Sequence, residues 1–510
     1  MSDQITEAPV AASAHQPPSA GGPMSPTTRL ALLAVGCALL MGLLGDQLIL
    51  SSPQLGLGGF LWVTALAGSA LWLSRRAEQP LSGEARWLLA GAVLFAGGLI
   101  WRSTLPLMLL DLLAIAVCLG LAALTGRAGL LSRAGILSYP LGLALSAVHH
   151  ALGPFLLLLG DLNWKEVPRG RWSNLAAGLF RGLLIAVPLL LLFGLLFMAA
   201  DAVFARLVTN LFHLDLPGLV EDLFGALFFA FLAAGFLRTA LLRKPEPLPE
   251  LPDGALRIGP IETGVILGLL NLLFGAFVLV QVRYLFGGAE LVLATVDLTY
   301  AEYARRGFFE LVQVAALVLP VLLGLHWLLP AQGVEQRLFR WLGGSLVGLL
   351  FVIMASALQR MFLYQQEYGL TELRLYTTAF MGWMALLFLW FLATVLRGRR
   401  ERFAPGALVS GLLVLASLHL LNPDGLIIRT NLALHERTGR FDAAYAASLG
   451  PDALPALLEA LPRLDPASQE EVKRHLAERL DRLSDTDWRG WNWGRSQAWR
   501  AYQNTLPPQP

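Results

Sequence analysis

The chain has 510 residues, of which 56% are hydrophobic and 15% charged, with a formal net charge of +2. Soluble proteins carry roughly 25% charged residues, and the apolar excess here is spread over most of the chain. This excludes an ordinary water-soluble globular protein and predicts an all-α, polytopic transmembrane helical bundle embedded in a lipid bilayer. The small net charge points to no particular partner, and no nucleic-acid partner is expected.

Residues 1–28 are rich in Pro, Ser, Ala and Gly and contain no Lys or Arg; they read as a disordered tail. The apolar run after Arg29 lacks a basic region before it and a cleavage site, so it reads as a first span rather than a signal peptide. With a window of about 20 apolar residues, spans are expected at 30–49, 56–74, 87–101, 105–125, 179–200, 220–242, 260–284, 308–330, 340–359, 375–396 and 406–421. That gives eleven. One more run, "SYPLGLALSAVHHALGPFLLLLG", carries His149 and His150 at its centre and Pro140 and Pro154 around them.

Cytoplasmic loops are enriched in Lys and Arg. Placing "RGRRER" (397–402) in the cytoplasm puts Arg337, Arg340, Arg243, Lys244 and the "KEVPRGRW" loop there by alternation. Arg75, Arg76 and Arg86 join them only if the 138–160 run does not cross. That run is therefore expected to be a re-entrant or interfacial hairpin, with the N-terminus cytoplasmic and the C-terminus outside. A twelfth span is the alternative.

From about residue 432 the chain becomes charged and helix-periodic, with prolines at helix starts, and three short packed helices are expected. It ends in "TDWRGWNWGRSQAWRAYQ". Its four tryptophans are expected to close the small domain's own core, with the membrane interface as the alternative.

No phosphate-binding loop, dinucleotide fingerprint, zinc-protease motif or nucleophile elbow occurs. Cys37 and Cys118 lie in apolar runs and read as small buried hydrophobes. His149 and His150 face different sides of a helix and read as a packed pair rather than metal ligands. No cofactor or metal is expected. Asp201 reads as a helix N-cap, and "NPDG" at 422–425 as a tight exit turn.

The polar residues that remain gather at the outer ends of three spans, in "QVRYLFGG", "LTYAEYARRGFFEL" and "SALQRMFLYQQEYGLTELRLYTT". They supply Arg283, Tyr300, Glu302, Tyr303, Arg305, Arg306, Glu310, Arg360, Tyr364, Glu367 and Arg374. Glu302, Arg306 and Glu310 recur every four residues and form one helical stripe. An unpaired charge at membrane depth costs roughly 2.5–3.5 kcal/mol on insertion scales, so the stripe should face protein, with Arg306 beside Glu310. Two readings follow: a structural clasp between helices, or a site for an anionic lipid headgroup or small ligand. An enzyme is the less favoured expectation, either a membrane-embedded transferase with Glu302, Glu310 or Glu367 as general base or a transporter. No internal repeat supports the latter.

At "FVLVQVRYLFGG", "TYAEYARRGFFELVQV", "QRMFLYQQEYGLTELRLYT" and "LNPDGLIIRTNLA" the sequence resembles a family of bacterial multi-pass membrane proteins known as domain of unknown function 4173. The likeness runs from about residue 170 to the end. It implies a bacterial inner-membrane location and supplies no activity, cofactor or catalytic residue. The expected organisation is a tail (1–28), a four-span region (29–126), a cytoplasmic loop with the hairpin (127–178), a family-like membrane core (179–425) and a helical, Trp-rich soluble domain (426–510).

Overall fold

The computed structural model describes residues 24–126, 138–167, 216–244, 258–286, 308–477 and 487–505 apart from a few single positions, together with isolated positions between 182 and 204. The described residues form helices and no strand. Ser25, whose hydroxyl accepts from Thr28 N, caps α1 (Pro26–Gly45), which continues through a widened turn to Leu50. Then follow α2 (Leu57–Arg76), α3 (Gly83–Trp101), α4 (Leu105–Thr125) and α5 (Ser138–Leu156, extended to Asp161). The next group is α6 (Leu216–Leu241), α7 (Pro260–Phe286), α8 (Phe308–Leu328), α9 (Val334–Tyr368), α10 (Glu372–Thr394) and α11 (Phe403–Leu421).

Eleven of these helices are long and apolar enough to cross a membrane. Ten coincide with expected spans. The eleventh expected span, 179–200, lies largely outside the described residues.

The segment 138–160 is not a hairpin. It is one continuous helix, because its polar side chains are satisfied within its own turns: His149 Nδ1 lies 2.7 Å from Leu145 O and His150 Nδ1 2.6 Å from Ser146 O. Its neighbours gather at one end of the bundle. Tyr139 lies in electrostatic range of Glu84, which is in the first turn of α3, and Ser146 donates to Gly120 O near the end of α4. Asp161 pairs with Arg238 at 2.6 Å near the end of α6, and Glu166 accepts from Ser25 at the start of α1. A helix about 36 Å long thus meets the same end of the bundle at both of its own ends. This describes a helix lying across that end.

The ends of the remaining helices alternate. Ser82 N donates to Gly126 O, joining the start of α3 to the end of α4, and Ile258 N donates to Leu328 O. The end holding α2's C-terminus, α3's N-terminus, α6's C-terminus, α9's N-terminus and the α10–α11 loop carries Arg75, Arg76, Arg86, Arg238, Arg243, Lys244, Arg337, Arg340 and Arg397–Arg402. This is the basic end of the bundle.

The opposite end carries the C-terminal helices: α12 (Pro423–Thr438), α13 (Ala443–Ser448), α14 (Leu454–Ala460), α15 (Pro466–Ala477) and α16 (Trp493–Thr505). Arg489 fastens them to the bundle by donating to Gln47 O and Ser51 O at 2.7 and 2.8 Å, while Leu57 N donates to Trp491 O. Asp487 grips Arg489 at 2.7 Å, which holds the Asp487 carboxyl below its ordinary range. Three of the four tryptophans do not close the domain's core. Trp488, Trp491 and Trp493 are 58, 42 and 45% exposed beside the helix ends, where rings with one wet edge are favoured at a membrane boundary.

Two apolar cores hold the bundle. One joins α1–α6 to α11, α12 and the C-terminal helices; the other joins α7–α10 with Phe403. In the first, α1 and α6 approach closely because Gly42 and Gly45 face Ala226, Phe229 and Ala230. Small residues let membrane helices pack backbone to backbone.

Candidate functional site

Of the expected polar layer, Glu310, Arg360, Tyr364, Glu367 and Arg374 are described. Tyr300, Glu302, Tyr303, Arg305 and Arg306, with the side chain of Arg283, lie outside the described residues, and so does the expected Arg306–Glu310 pairing. Glu310 is exposed and shares with Arg360, Gln281 and Phe274 a cavity of about 430 Å³. Arg360 donates to Gln281 Oε1, which also accepts from Ser356 Oγ at 3.2 Å, tying α9 to α7. Arg374 donates to Tyr368 O and Gly369 O, where α9 ends with Gly369 at φ 74°. Its guanidinium also lies 4.1 Å from the Tyr364 ring centre, a cation–π contact. Glu367 meets Arg440 at 3.4 Å, both exposed, a pairing worth little. The described members therefore divide into separate contacts.

A denser polar assembly lies where α4, α10, α11 and α12 meet the C-terminal helices. Asp452 Oδ2 accepts from Ser103 N at 2.6 Å, Thr104 N at 3.1 Å and Ser103 Oγ at 3.1 Å. Arg102 stands 3.8 Å from its other oxygen. Thr104 Oγ1 lies 2.9 Å from Asp424 Oδ2 and 3.2 Å from Asp452 Oδ2, donating to one at a time. Gly450 N donates to Asp424 Oδ2 at 3.1 Å. Asp111, about 9 Å along α4 from its start, is 3.0 Å from His419 Nε2. A Cβ on Gly98 would sit 2.5 Å from Asp111 Oδ2 and 2.7 Å from His419 Nε2, so glycine there makes room for the pair.

The buried cluster these residues form is strongly acidic. Asp111, Asp424 and Asp452 are at most 4% exposed. One oxygen of each, and the Tyr376 hydroxyl, are buried without a hydrogen-bond partner. The hydroxyl lies in electrostatic range of Asp111, Glu372, Asp424 and Asp452. Burial pushes the Asp424 carboxyl up to about 7, and the neighbouring Glu372 and Asp452 add to the rise against the Thr104 and Gly450 hydrogen bonds. Burial raises Tyr445 as well; its hydroxyl accepts from Glu372 N.

Two cavities border the cluster. One, of about 600 Å³, runs between the two cores and is walled by apolar side chains of α4, α5, α8, α10 and α11, with Tyr376 on its lining. The other, of about 210 Å³, lies among the C-terminal helices and includes Ser103 and Gly450, the donors to Asp452 and Asp424. Among the described residues no three His, Cys, Asp or Glu side chains are placed to hold a metal ion.

Little in the local sequence signals this cluster. "NPDG" reads as a turn, which it is, since Asn422 in the left-handed region accepts from Gly425 N. The Asp424 carboxyl nevertheless turns inward. Asp111 and His419 are ionisable residues inside apolar spans, a signal that marks functional or tightly paired groups.

The eleven long apolar helices define a polytopic α-helical integral membrane protein. Residues 89–460 match the family described as Domain of unknown function (DUF4153), and the chain belongs to it. The match is to number 4153 and not to the expected number 4173, and it begins well before residue 170, taking in α4 and most of α3. No curated protein and no solved structure matches the chain.

Proposed function

We propose that the protein is a non-enzymatic lipid-handling protein that holds the hydrocarbon chain of a membrane lipid between its two cores. The observation that carries this reading is the cavity of about 600 Å³ lined by Leu113, Val117, Leu143, Phe380, Leu412 and their neighbours. Its size falls in the range of ligand sites, about 300–1,000 Å³, and its walls belong to helices that hydrocarbon surrounds. The Arg/Tyr layer of α9 and α10 serves in this reading as a clasp, because Arg374 caps α9 and Arg360 binds Gln281.

Filling the cavity tests the reading. Ala407→Trp places a large ring on its wall, and native mass spectrometry of protein extracted from membranes counts retained lipid. The variant is expected to lose at least one bound lipid while keeping the wild-type apparent Tm. Equal retention would contradict the reading.

The basic end faces the cytoplasm in this proposal and the C-terminal helices face outward, by the excess of Arg and Lys at one end, in a bacterial inner membrane as the motif resemblance implies. Glu470→Cys, at an exposed position of α15, is then expected to react with a membrane-impermeant maleimide added to cells whose outer membrane has been opened. Labelling only after the inner membrane is broken would reverse the orientation.

A further inference from the structure

We propose that the cavity of about 430 Å³ between α7, α8 and α9 is a second lipid site, which holds a zwitterionic phospholipid by the phosphate and the primary ammonium of its head. The site lies in the second core and stands independently of the lipid reading above.

The lining carries one polarity gradient on all three helices. The start of α7 meets the end of α8 at the basic end, where Ile258 N donates to Leu328 O. The end of α7, the start of α8 and the end of α9 therefore lie at the opposite end of the bundle. Gln281 of α7, Glu310 of α8 and Arg360 of α9 are the described lining residues nearest that end. Phe274 and Phe277, Val314 and Ile353 line the cavity about 6–11 Å deeper along the same helices. A polar mouth above apolar walls matches a lipid in one leaflet, whose hydrocarbon is about 15 Å thick. The volume falls in the range of ligand sites, about 300–1,000 Å³.

Hydrogen-bond capacity assigns the head. Gln281 is 6% exposed, and its Oε1 accepts from Arg360 and from Ser356 Oγ. A guanidinium only donates, so the orientation of the amide is fixed. Its Nε2 keeps two donors with no partner among the described residues. Those donors call for an acceptor and Arg360 beside them adds positive charge, a combination that phosphate oxygens satisfy. Glu310 brings the opposite charge to the same cavity, and its carboxylate only accepts. A primary ammonium offers it three donors, whereas a quaternary ammonium offers none and a purely anionic head meets repulsion. Arg360 and Glu310 together sum to zero charge, as do one phosphate and one ammonium. The clasp between α7 and α9 uses the oxygen of Gln281 and leaves its nitrogen to the ligand.

Competition in bilayer nanodiscs tests the assignment. The protein is reconstituted with equal amounts of phosphatidylethanolamine, phosphatidylcholine and phosphatidylglycerol of matched chains, and retained lipid is counted by native mass spectrometry. Wild type is expected to retain phosphatidylethanolamine over each of the others by about threefold, the scale of one exposed ion pair. Glu310→Gln, an isosteric change at an exposed position, is expected to keep the wild-type apparent Tm and lose that preference. Glu310→Lys is expected to favour phosphatidylglycerol instead. Equal retention of the three lipids by wild type, or a preference that Glu310→Gln leaves unchanged, overturns the assignment. Ala407→Trp separates the two sites: a preference kept in that variant supports the site between α7, α8 and α9, and one lost with it belongs to the first cavity and overturns the second site. In a further arm, phosphatidylglycerol-only nanodiscs receive free phosphoethanolamine. A rise in apparent Tm equal to that from phosphatidylethanolamine places the head in water and overturns the lipid source; a smaller rise supports it.

Discussion

Asp452→Ala is expected to produce the largest loss of stability of any single substitution in the cluster. Its carboxylate accepts the N–H groups of Ser103 and Thr104 and the Ser103 hydroxyl, and faces Arg102 at 3.8 Å. Those donors precede α4, so one side chain of the C-terminal region holds the entry of a membrane helix. Alanine leaves the Ser103 and Thr104 donors unpaired and takes away the carboxylate that faces Arg102, which keeps only its hydrogen bond to His419 O and its contact with the Trp101 ring. Removing one member of a buried pair costs on the order of 3–5 kcal/mol. Asp452→Asn keeps an acceptor for the backbone and loses only the charge, so a smaller loss is expected. Apparent Tm and folded yield in detergent should order as wild type, then Asn, then Ala. An alanine variant with wild-type Tm would show that the domain is held elsewhere, by Arg489 above all.

The second large effect concerns pH. A carboxyl that titrates near 7 in the folded protein and near 3.8 in the unfolded chain binds more protons when folded. Stability from this group is therefore fully present below about pH 4, falls as pH rises, and is flat above about 7. Each unit is worth about 1.4 kcal/mol. The groups facing Asp424 are Glu372, Asp452, Tyr376 and Tyr445, with Thr104 and the Gly450 N–H; Asp111, His419 and Arg102 lie behind them. Because Glu372 and Asp452 are coupled to Asp424, the difference between wild type and Asp424→Asn reports Asp424 together with the shift its charge imposes on those two groups. The variant should match wild type near pH 4 and exceed it in apparent Tm by pH 8. Parallel profiles would mean that Asp424 stays charged throughout.

How much of this was legible follows from what each feature depends on. Spans were legible because hydrocarbon demands an apolar run from every crossing helix, and that demand is local. The basic end was legible for the same reason: its arginines adjoin span ends. The helical form of 138–161 was not, because two histidines and two prolines resemble an interruption until the back-bonds to Leu145 and Ser146 are seen. The Arg374 clasp was half legible: its charge was noted, but its acceptors are carbonyls, which carry no sequence signal. The cluster depends on pairs far apart in sequence: Thr104 with Asp424 spans 320 residues and Asp111 with His419 spans 308. Spacing within one segment cannot disclose such pairs. Asp111, a carboxylate in "PLMLLDLLAIAV", and His419, near the end of an apolar span, are the local clues, since an unpaired ionisable group at that depth is costly.

The central claim is that a lipid chain lies between the two cores, in the cavity that Tyr376 helps to line. Photolabelling with a lipid carrying a diazirine in its acyl chain tests it most directly. The account predicts adducts concentrated on the cavity-facing residues of α4, α10 and α11, Val117, Phe380, Leu412 and Leu415 among them, and their loss in Ala407→Trp. Adducts spread evenly over the outward apolar residues, such as Leu109, Leu269 and Leu389, and unchanged by Ala407→Trp would contradict it.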